Sequence, residues 1–527
     1  MSPRTAASPA PAVRAASRRR TGFAALAGVL SAAAGVLTGE VGAALLSPSL
    51  SPVSAVAGAV VDATPPAAKD WAIQTFGTGD KAFLVTVIGL ALAVLGAAAG
   101  VLELRRPGVG VGLAGAIGLV GLGAVVTRSL AGPGAWLCAL AAGIVAMALL
   151  RWLVNRLRRE PLGHVGSSPG GFPRRGFLRA LAGTGAAVVL GGVVTAVLRG
   201  AAVAAASARD ALRLPTPADP APPIPESAQV GVAGVSALVT PAADFYRIDT
   251  AFVVPSVDPA TWQLRVTGLV EEPVTLTWSE LLGKPLVERY VTLTCVSNEV
   301  GGNLAGNARW LGWPVRELLA AARPRPGADM VLSRSVDGFT AGTPLTALTD
   351  PGRDALLAVA MNGEPLPPEH GFPVRLVVPG LYGYVSATKW VTELKVTTFA
   401  ADTAYWSTRG WSEKGPIKTA SRIDVPRRGS GVTAGEVTVA GVAWAQHRGI
   451  SAVEVRVDDG AWQPARLGTG ISRDTWYQWA ASVRLSPGRH RIAVRATDGD
   501  GQVQTAAQAP PAPDGATGYD IIDVEAA

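Results

Sequence analysis

The chain has two rhythms of apolar and polar residues, with a change near residue 200. In the first part apolar residues run on with few interruptions, and the stretches 22–46, 82–104, 109–126, 135–154 and 181–198 each approach the ~20 residues needed to cross a bilayer core. Beyond residue 240 the apolar runs are short and end in turn residues. The segments 262–268, 274–278, 290–294 and 374–378 read as strands, and 279–282 and 314–321 as helices. The second of these helices is marked by Val315, Leu318 and Leu319, which fall on one face. Between the two rhythms, 201–240 is rich in alanine and then proline, with Pro215, Pro217, Pro220, Pro222, Pro223 and Pro225. That composition favours extended polyproline II and predicts a spacer.

After residue 400 the pattern becomes evenly spaced alternation at 437–444, 453–457, 477–483 and 490–496, with Asp458-Asp459-Gly460 and Ser486-Pro487-Gly488 as turns. Such spacing predicts an immunoglobulin-like β-sandwich. The organisation expected is therefore a basic cytoplasmic tail at 1–20, a transmembrane region of five helices at 21–200, a linker at 201–240, an α+β domain at 241–400 and a β-sandwich at 401–527.

The formal charge of +8 does not indicate nucleic acid, because the arginines cluster beside the apolar runs. No basic stripe interleaved with aromatics occurs in the second half. Arg18, Arg19, Arg20, Arg105, Arg106, Arg151, Arg156, Arg158, Arg159, Arg174, Arg175 and Arg179 flank one side of the spans, while Lys69, Lys81 and Arg128 flank the other. By the positive-inside rule the N-terminus is cytoplasmic and everything after the fifth span lies outside, in contact with lipid at the cell (inner) membrane. Arg174-Arg175-Gly176-Phe177-Leu178-Arg179 before a weakly hydrophobic span resembles a twin-arginine export signal; a plain basic flank is the alternative. Glu40 interrupts the first span and is expected near the outer interface or in a helix-packing contact. None of the histidines, His164, His370, His447 and His490, falls in a span, so no bis-histidine haem is predicted there.

Cys138 and Cys295 are the two cysteines, too far apart in character to imply a disulfide. Cys295 follows the strand Tyr290 to Thr294 and precedes Ser297-Asn298-Glu299-Val300-Gly301-Gly302, so a thiol stands where a strand runs out into a turn. It is either an inert buried cysteine or a soft ligand for a metal.

Taken with Trp310-Leu311-Gly312-Trp313-Pro314, the stretch from His370 to Gly380, Tyr382-Gly383-Tyr384 and Lys389-Trp390, this cysteine resembles the molybdopterin-binding domain of the sulfite oxidase family, from about residue 241 onward. The resemblance implies molybdenum held by one molybdopterin dithiolene and by Cys295, the metal ligand. It implies that Arg375 and Lys389 grip the cofactor phosphate, as a bidentate donor and a point charge respectively. It carries cofactor contacts onto Tyr246, Arg247, His370, Ser335, Ser386 and Thr388, and it implies that the sandwich is a dimerisation domain of a homodimer; packing only on its neighbouring domain is the alternative. Two departures bear on the substrate. Glu299 and Val300 stand where sulfite-oxidising members carry basic residues, and Asp337-Gly338-Phe339 places Phe339 where those members have a tyrosine. An acidic Glu299 in the site would repel a sulfite dianion by a few kcal/mol if poorly screened, although Glu299 could equally be solvated. The reading is a membrane-anchored oxidoreductase performing two-electron oxygen-atom transfer on a small neutral or cationic oxygen donor or acceptor other than sulfite. Its electrons would pass to a separate carrier, a cytochrome or quinone-linked protein. A sulfoxide or N-oxide reductase of the same family and a cofactor-free envelope scaffold are the alternatives.

Overall fold

Small residues decide how the N-terminal helices meet. In the computed structural model, which describes residues 11–47, 50–65, 68, 71, 75–76, 79–128, 132–159, 175–204, 209, 212–251 and 254–527, the chain divides into two units, Met1–Ala204 and Ala205–Ala527. The first contains helices α1 (Pro11–Leu46), α2 (Pro52–Ala63), α3 (Asp80–Arg105), α4 (Val109–Val126), α5 (Pro133–Arg159) and α6 (Arg175–Ala204). Among the described residues five of these, all but α2, are long and apolar enough to cross a membrane. Helix α1 packs on α3, α5 and α6. Its approach to α3 is backbone on backbone: a Cβ on Gly28 would collide with the Gly96 carbonyl, and one on Gly100 with that of Ala24. This is the small-xxx-small contact by which helices associate without a hydrophobic driving force.

Helix α2 was not foreseen, being too short to span. Ser51 caps it, accepting from the Ser54 amide at 3.2 Å while Ser54 Oγ accepts from the Ser51 amide at 3.0 Å. The buried Glu40 carboxylate also accepts from the Val53 amide at 3.1 Å, so it makes the helix-packing contact expected of it. Glu103, 1 % exposed, does the same at the start of α4, accepting from the amides of Gly108 at 3.0 Å and Val111 at 3.1 Å. His164, Lys69 and Arg174 of the twin-arginine-like stretch lie outside the described residues.

The second unit is rich in β-structure. One sheet runs in the order Val274–Thr277, Gln263–Gly268, Val391–Thr397, Met330–Ser335, Thr340–Pro344; another runs Val287–Thr294, Ala305–Pro314, Leu356–Met361, Glu364–Pro365, with Arg375–Val377 also paired to Leu356–Met361. The predicted short helices appear as Trp278–Leu282, where Thr277 and Glu280 form a capping box, and Val315–Ala322, which buries Val315, Leu318 and Leu319. Beyond residue 419 two further sheets face each other. Ala420–Val425, Gly435–Trp444, Tyr477–Leu485 and Arg466–Leu467 make the first; Gly431–Val432, Asp520–Ala526, Gly488–Asp498, Ile450–Val457 and Gln463–Pro464 make the second. Val439, Trp479, Val455, Ile492, Val494 and Val524 fill the space between them. Trp444 and Trp476 instead join the large core of the neighbouring α+β part, so residues 241–400 and 401–527 share apolar packing.

The predicted spacer is corrected over residues 212–240. The Ala218 amide donates to Leu286 O at 2.7 Å, the Val230 amide to Gln478 Oε1 at 3.0 Å and the Ser236 amide to Asp424 Oδ2 at 2.9 Å. Ala228, Val230 and Leu238 are buried. Extended proline-rich chain leaves its amides and carbonyls unpaired, and here the folded part satisfies them, so this stretch is a strap bound along the second unit.

Candidate active site

A hairpin turn is built around Cys295. Strands Val287–Thr294 and Ala305–Pro314 pair antiparallel up to Thr294 and Ala305, and the chain between them forms the turn. The Cys295 amide donates to Leu304 O at 2.9 Å, its carbonyl accepts from the Asn298 amide at 3.1 Å, and Asn298 Oδ1 accepts from the Leu304 amide at 2.7 Å. Gly301 takes φ +75, and a Cβ there would press on the Asp520 carboxylate at 2.5 Å. Arg422 Nη1 donates to Gly302 O at 2.8 Å. Beneath the strand, the buried Gln446 Nε2 donates to Thr292 O at 3.0 Å and Thr294 Oγ1 at 2.9 Å. The sandwich thus fixes the backbone that carries the thiol.

Cys295 lines a cleft of about 860 Å³, solvent at its mouth included, which also exposes Tyr246, Ser335, Phe339, Arg375 and Lys389. These six expected residues, far apart in sequence, come together. Arg375 is 3 % exposed and donates to the carbonyls of His370 at 3.1 Å and Leu376 at 3.4 Å; its guanidinium lies 5.1 Å from the centre of the Trp310 ring. Among the described residues no carboxylate pairs with it, and burial pulls its pKa down to about 10. Lys389 donates to Asp249 Oδ2 at 3.1 Å and Glu369 O at 2.9 Å. Burial outweighs Asp249 and, with Arg375 adding repulsion, lowers its pKa to about 8. Asp249 also accepts from Arg247 Nε at 3.0 Å.

His370 stands outside the lining. Its Nε2 bonds Ala242 O at 3.1 Å, while the buried Nδ1 has no hydrogen-bond partner among the described residues. Burial, then the charges of Arg375 and Lys389, depress its pKa to about 4. Burial pushes the Tyr246 phenol up, with Cys295 adding to the effect. The Cys295 thiol is likewise raised by burial, against hydrogen bonds from Ser297 and the charge of Lys389.

Other expectations are corrected by geometry. Glu299 is exposed and outside the cleft lining, its carbonyl accepting from the Gly302 amide at 2.9 Å in the turn. Ser386 Oγ donates to Leu381 O and Tyr382 O, and Thr388 Oγ1 bonds Ser333 Oγ at 2.7 Å; both are fully buried, engaged within the protein and away from the lining. Arg247 is beside the site through Asp249 but does not line it. Asp249, Asp337, Trp406 and Trp411, which do line it, were not singled out in the sequence. The aromatic density of Tyr405-Trp406 and Trp411, following the last strand of the α+β part, is the signal that marks the tryptophans.

Among the described residues no cluster of histidine, cysteine, aspartate or glutamate could hold a metal by itself. The cleft offers one soft donor, Cys295, beside two buried cations and an unpartnered imidazole nitrogen at its back. Such a set fits a group that brings most of its own metal ligands and an anionic tail.

Comparison with known proteins agrees with that fit. Residues 251–406 match the family described as the oxidoreductase molybdopterin binding domain. The mitochondrial sulfite oxidase of Homo sapiens is 30 % identical over 305 residues, covering 49 % of this chain and 56 % of its own. Nitrate reductase [NADH] 1 of Oryza sativa subsp. japonica is 38 % identical over 193 residues, covering 32 % and 21 %. The chain therefore spans about half the length of the first of these relatives and a fifth of the second. The crystal structure of the sulfane dehydrogenase SoxCD from Paracoccus pantotrophus aligns with a TM-score of 0.47 at 23 % identity, over 56 % of this chain and 85 % of that one.

Proposed function

Since the chain belongs to the sulfite oxidase family of molybdopterin-binding oxidoreductases through residues 251–406, we propose that it is a membrane-anchored enzyme that transfers an oxygen atom at a molybdenum-molybdopterin centre outside the cytoplasm. The observation that carries this reading is the meeting of Cys295, Arg375 and Lys389 in one cleft of a chain whose described residues offer no self-sufficient metal site. Molybdenum, when bound, supplies a centre that exchanges two electrons and an oxygen atom with a substrate.

The chain's residues have separate tasks in this reading. Cys295 would hold the metal as a thiolate; its raised thiol pKa in the free protein means that binding would release a proton, which the charge of Lys389 favours. Arg375 and Lys389 would hold the phosphate of the pterin tail, and an anion there would relieve two cations that burial disfavours. Tyr246 stands by as a neutral hydrogen-bonding group, its phenol held protonated. His370 stays neutral and positions Arg375 through its backbone carbonyl. Gln446 and Arg422 steady the cysteine turn.

The five long apolar helices and the basic flanks support anchoring with the cofactor domain outside. The facing sheets beyond residue 419 support the immunoglobulin-like reading, while a dimer is implied by the resemblance alone. An external carrier would take or supply the electrons. The test is molybdenum and pterin content of protein made in a host that synthesises the cofactor, alongside Cys295→Ser. Wild type is expected to carry about one metal per chain and the variant to lose it; an unaltered centre in the variant refutes the ligand assignment.

A further inference from the structure

The cleft lining separates into two connected sets. Arg375, Lys389, Tyr246 and Asp249 form the polar set. Phe339, Tyr384, Trp406 and Trp411 form the other, linked ring to ring through Tyr405. Phe339 is 5.8 Å from Tyr405, Tyr405 is 5.2 Å from Trp406, Trp406 is 6.3 Å from Trp411, and Trp411 is 5.9 Å from Tyr384. The interplanar angles run from 50° to 87°, so the rings form a folded wall. The Tyr384 hydroxyl is engaged, donating to Ser412 O at 2.7 Å, and Phe339 has none.

The charges in the lining narrow what this wall can receive. Its cations are Arg375 and Lys389, and its carboxylates are Asp249 and Asp337. Once a phosphate tail sits on both cations, no positive charge in the lining is left for a second anion, and Arg247 is already paired with Asp249. An oxyanion entering beside the aromatic set would lose its hydration with no unoccupied cation in the lining to replace it. Among the described residues Asp337 is in no ion pair, accepting only from Thr250 Oγ1 at 3.0 Å and the Phe339 amide at 3.4 Å, but the Arg409 guanidinium already covers the Tyr405 ring at 3.6 Å and repels a second cation at the wall. Flat apolar matter suits such a wall through dispersion and edge-to-face contact.

Building on the oxidoreductase reading, we infer that Phe339, Tyr384, Trp406 and Trp411 bind the uncharged, flat apolar body of an organic substrate, whose reacting heteroatom then faces the centre held by Cys295. Substrate choice is set by this wall, and small inorganic oxyanions are poor ligands.

The holoprotein can be tested with a redox-inert neutral aryl probe, methyl p-tolyl sulfone, by saturation-transfer NMR and calorimetric titration. Sulfate and phenyltrimethylammonium serve as charged competitors. The sulfone is expected to bind, to resist a tenfold excess of either competitor, and to weaken about tenfold in Trp411→Ala but only about threefold or less in Trp411→Phe. Trp406→Leu carries the same test if Trp411→Ala does not accumulate. The inference is overturned if sulfate or the ammonium displaces the sulfone, or if a folded Trp411→Ala or Trp406→Leu binds it as wild type does. Molybdenum content separates the two levels. Full molybdenum with no sulfone binding overturns the aromatic wall alone, whereas sulfone binding without molybdenum supports the wall and overturns the metal assignment.

Discussion

Both units of the chain bury ionisable groups, and the two buried carboxylates of the first contrast with the two cleft cations of the second. In the N-terminal unit the buried carboxylates of Glu40 and Glu103 are matched by the amides that open α2 and α4, so each charge is consumed by the fold. In the C-terminal unit, among the described residues, the hydrogen-bond partners of Arg375 are carbonyls, and Lys389 shares Asp249 with Arg247. Those two cations are held ready for an anion. A buried charge is thus evidence of function when its partners fall short, and of architecture when they suffice.

The contrast can be broken most severely at the metal. Cys295→Ser is expected to lower molybdenum occupancy by two orders of magnitude or so, read by elemental analysis, with the fold retained by circular dichroism. Arg375→Met tests the idea of a waiting cation. Stability of the cofactor-free protein should hold or rise, by up to about 4 kcal/mol, while the loaded protein loses cofactor on dialysis; equal destabilisation of both forms would class Arg375 with Glu103.

A titration sharpens the same point. The pKa of Lys389 falls from 10.5 to about 8 on folding, so the unfolded chain binds more protons between those values and stability must rise with pH across that window. The gain relative to Lys389→Met is about 3 kcal/mol, present in the cofactor-free protein and shifted to higher pH once phosphate is bound. Glu103→Gln gives the smallest effect. A loss of about 1–2 kcal/mol, the same with and without cofactor, is expected from denaturation in detergent.

The elements legible in the sequence are those whose cause is local. The apolar runs, the helix face of Val315, Leu318 and Leu319, and the strand ending at Cys295 all follow from spacing within a dozen residues. The meeting of Cys295, Arg375 and Lys389 follows from no local spacing and was expected only through the resemblance. What escaped is set by partners distant along the chain. The proline-rich stretch looked free because its partners, Leu286, Asp424 and Gln478, carry no local mark. Strands Ala420–Val425 and Asp520–Ala526 become strands within sheets assembled from distant segments. Glu299 is one residue from Asn298, yet one side chain closes the turn and the other leaves it. Ser386 and Thr388 sit next to Lys389 in sequence, but their hydroxyls were already taken.

Gly301 rests on Asp520, and Arg422 and Gln446 hold the adjoining backbone. The turn bearing Cys295 therefore packs beside a residue 225 positions downstream (520 − 295). A ribosome that has just released the cysteine has not yet made the sandwich residues against which that turn is packed.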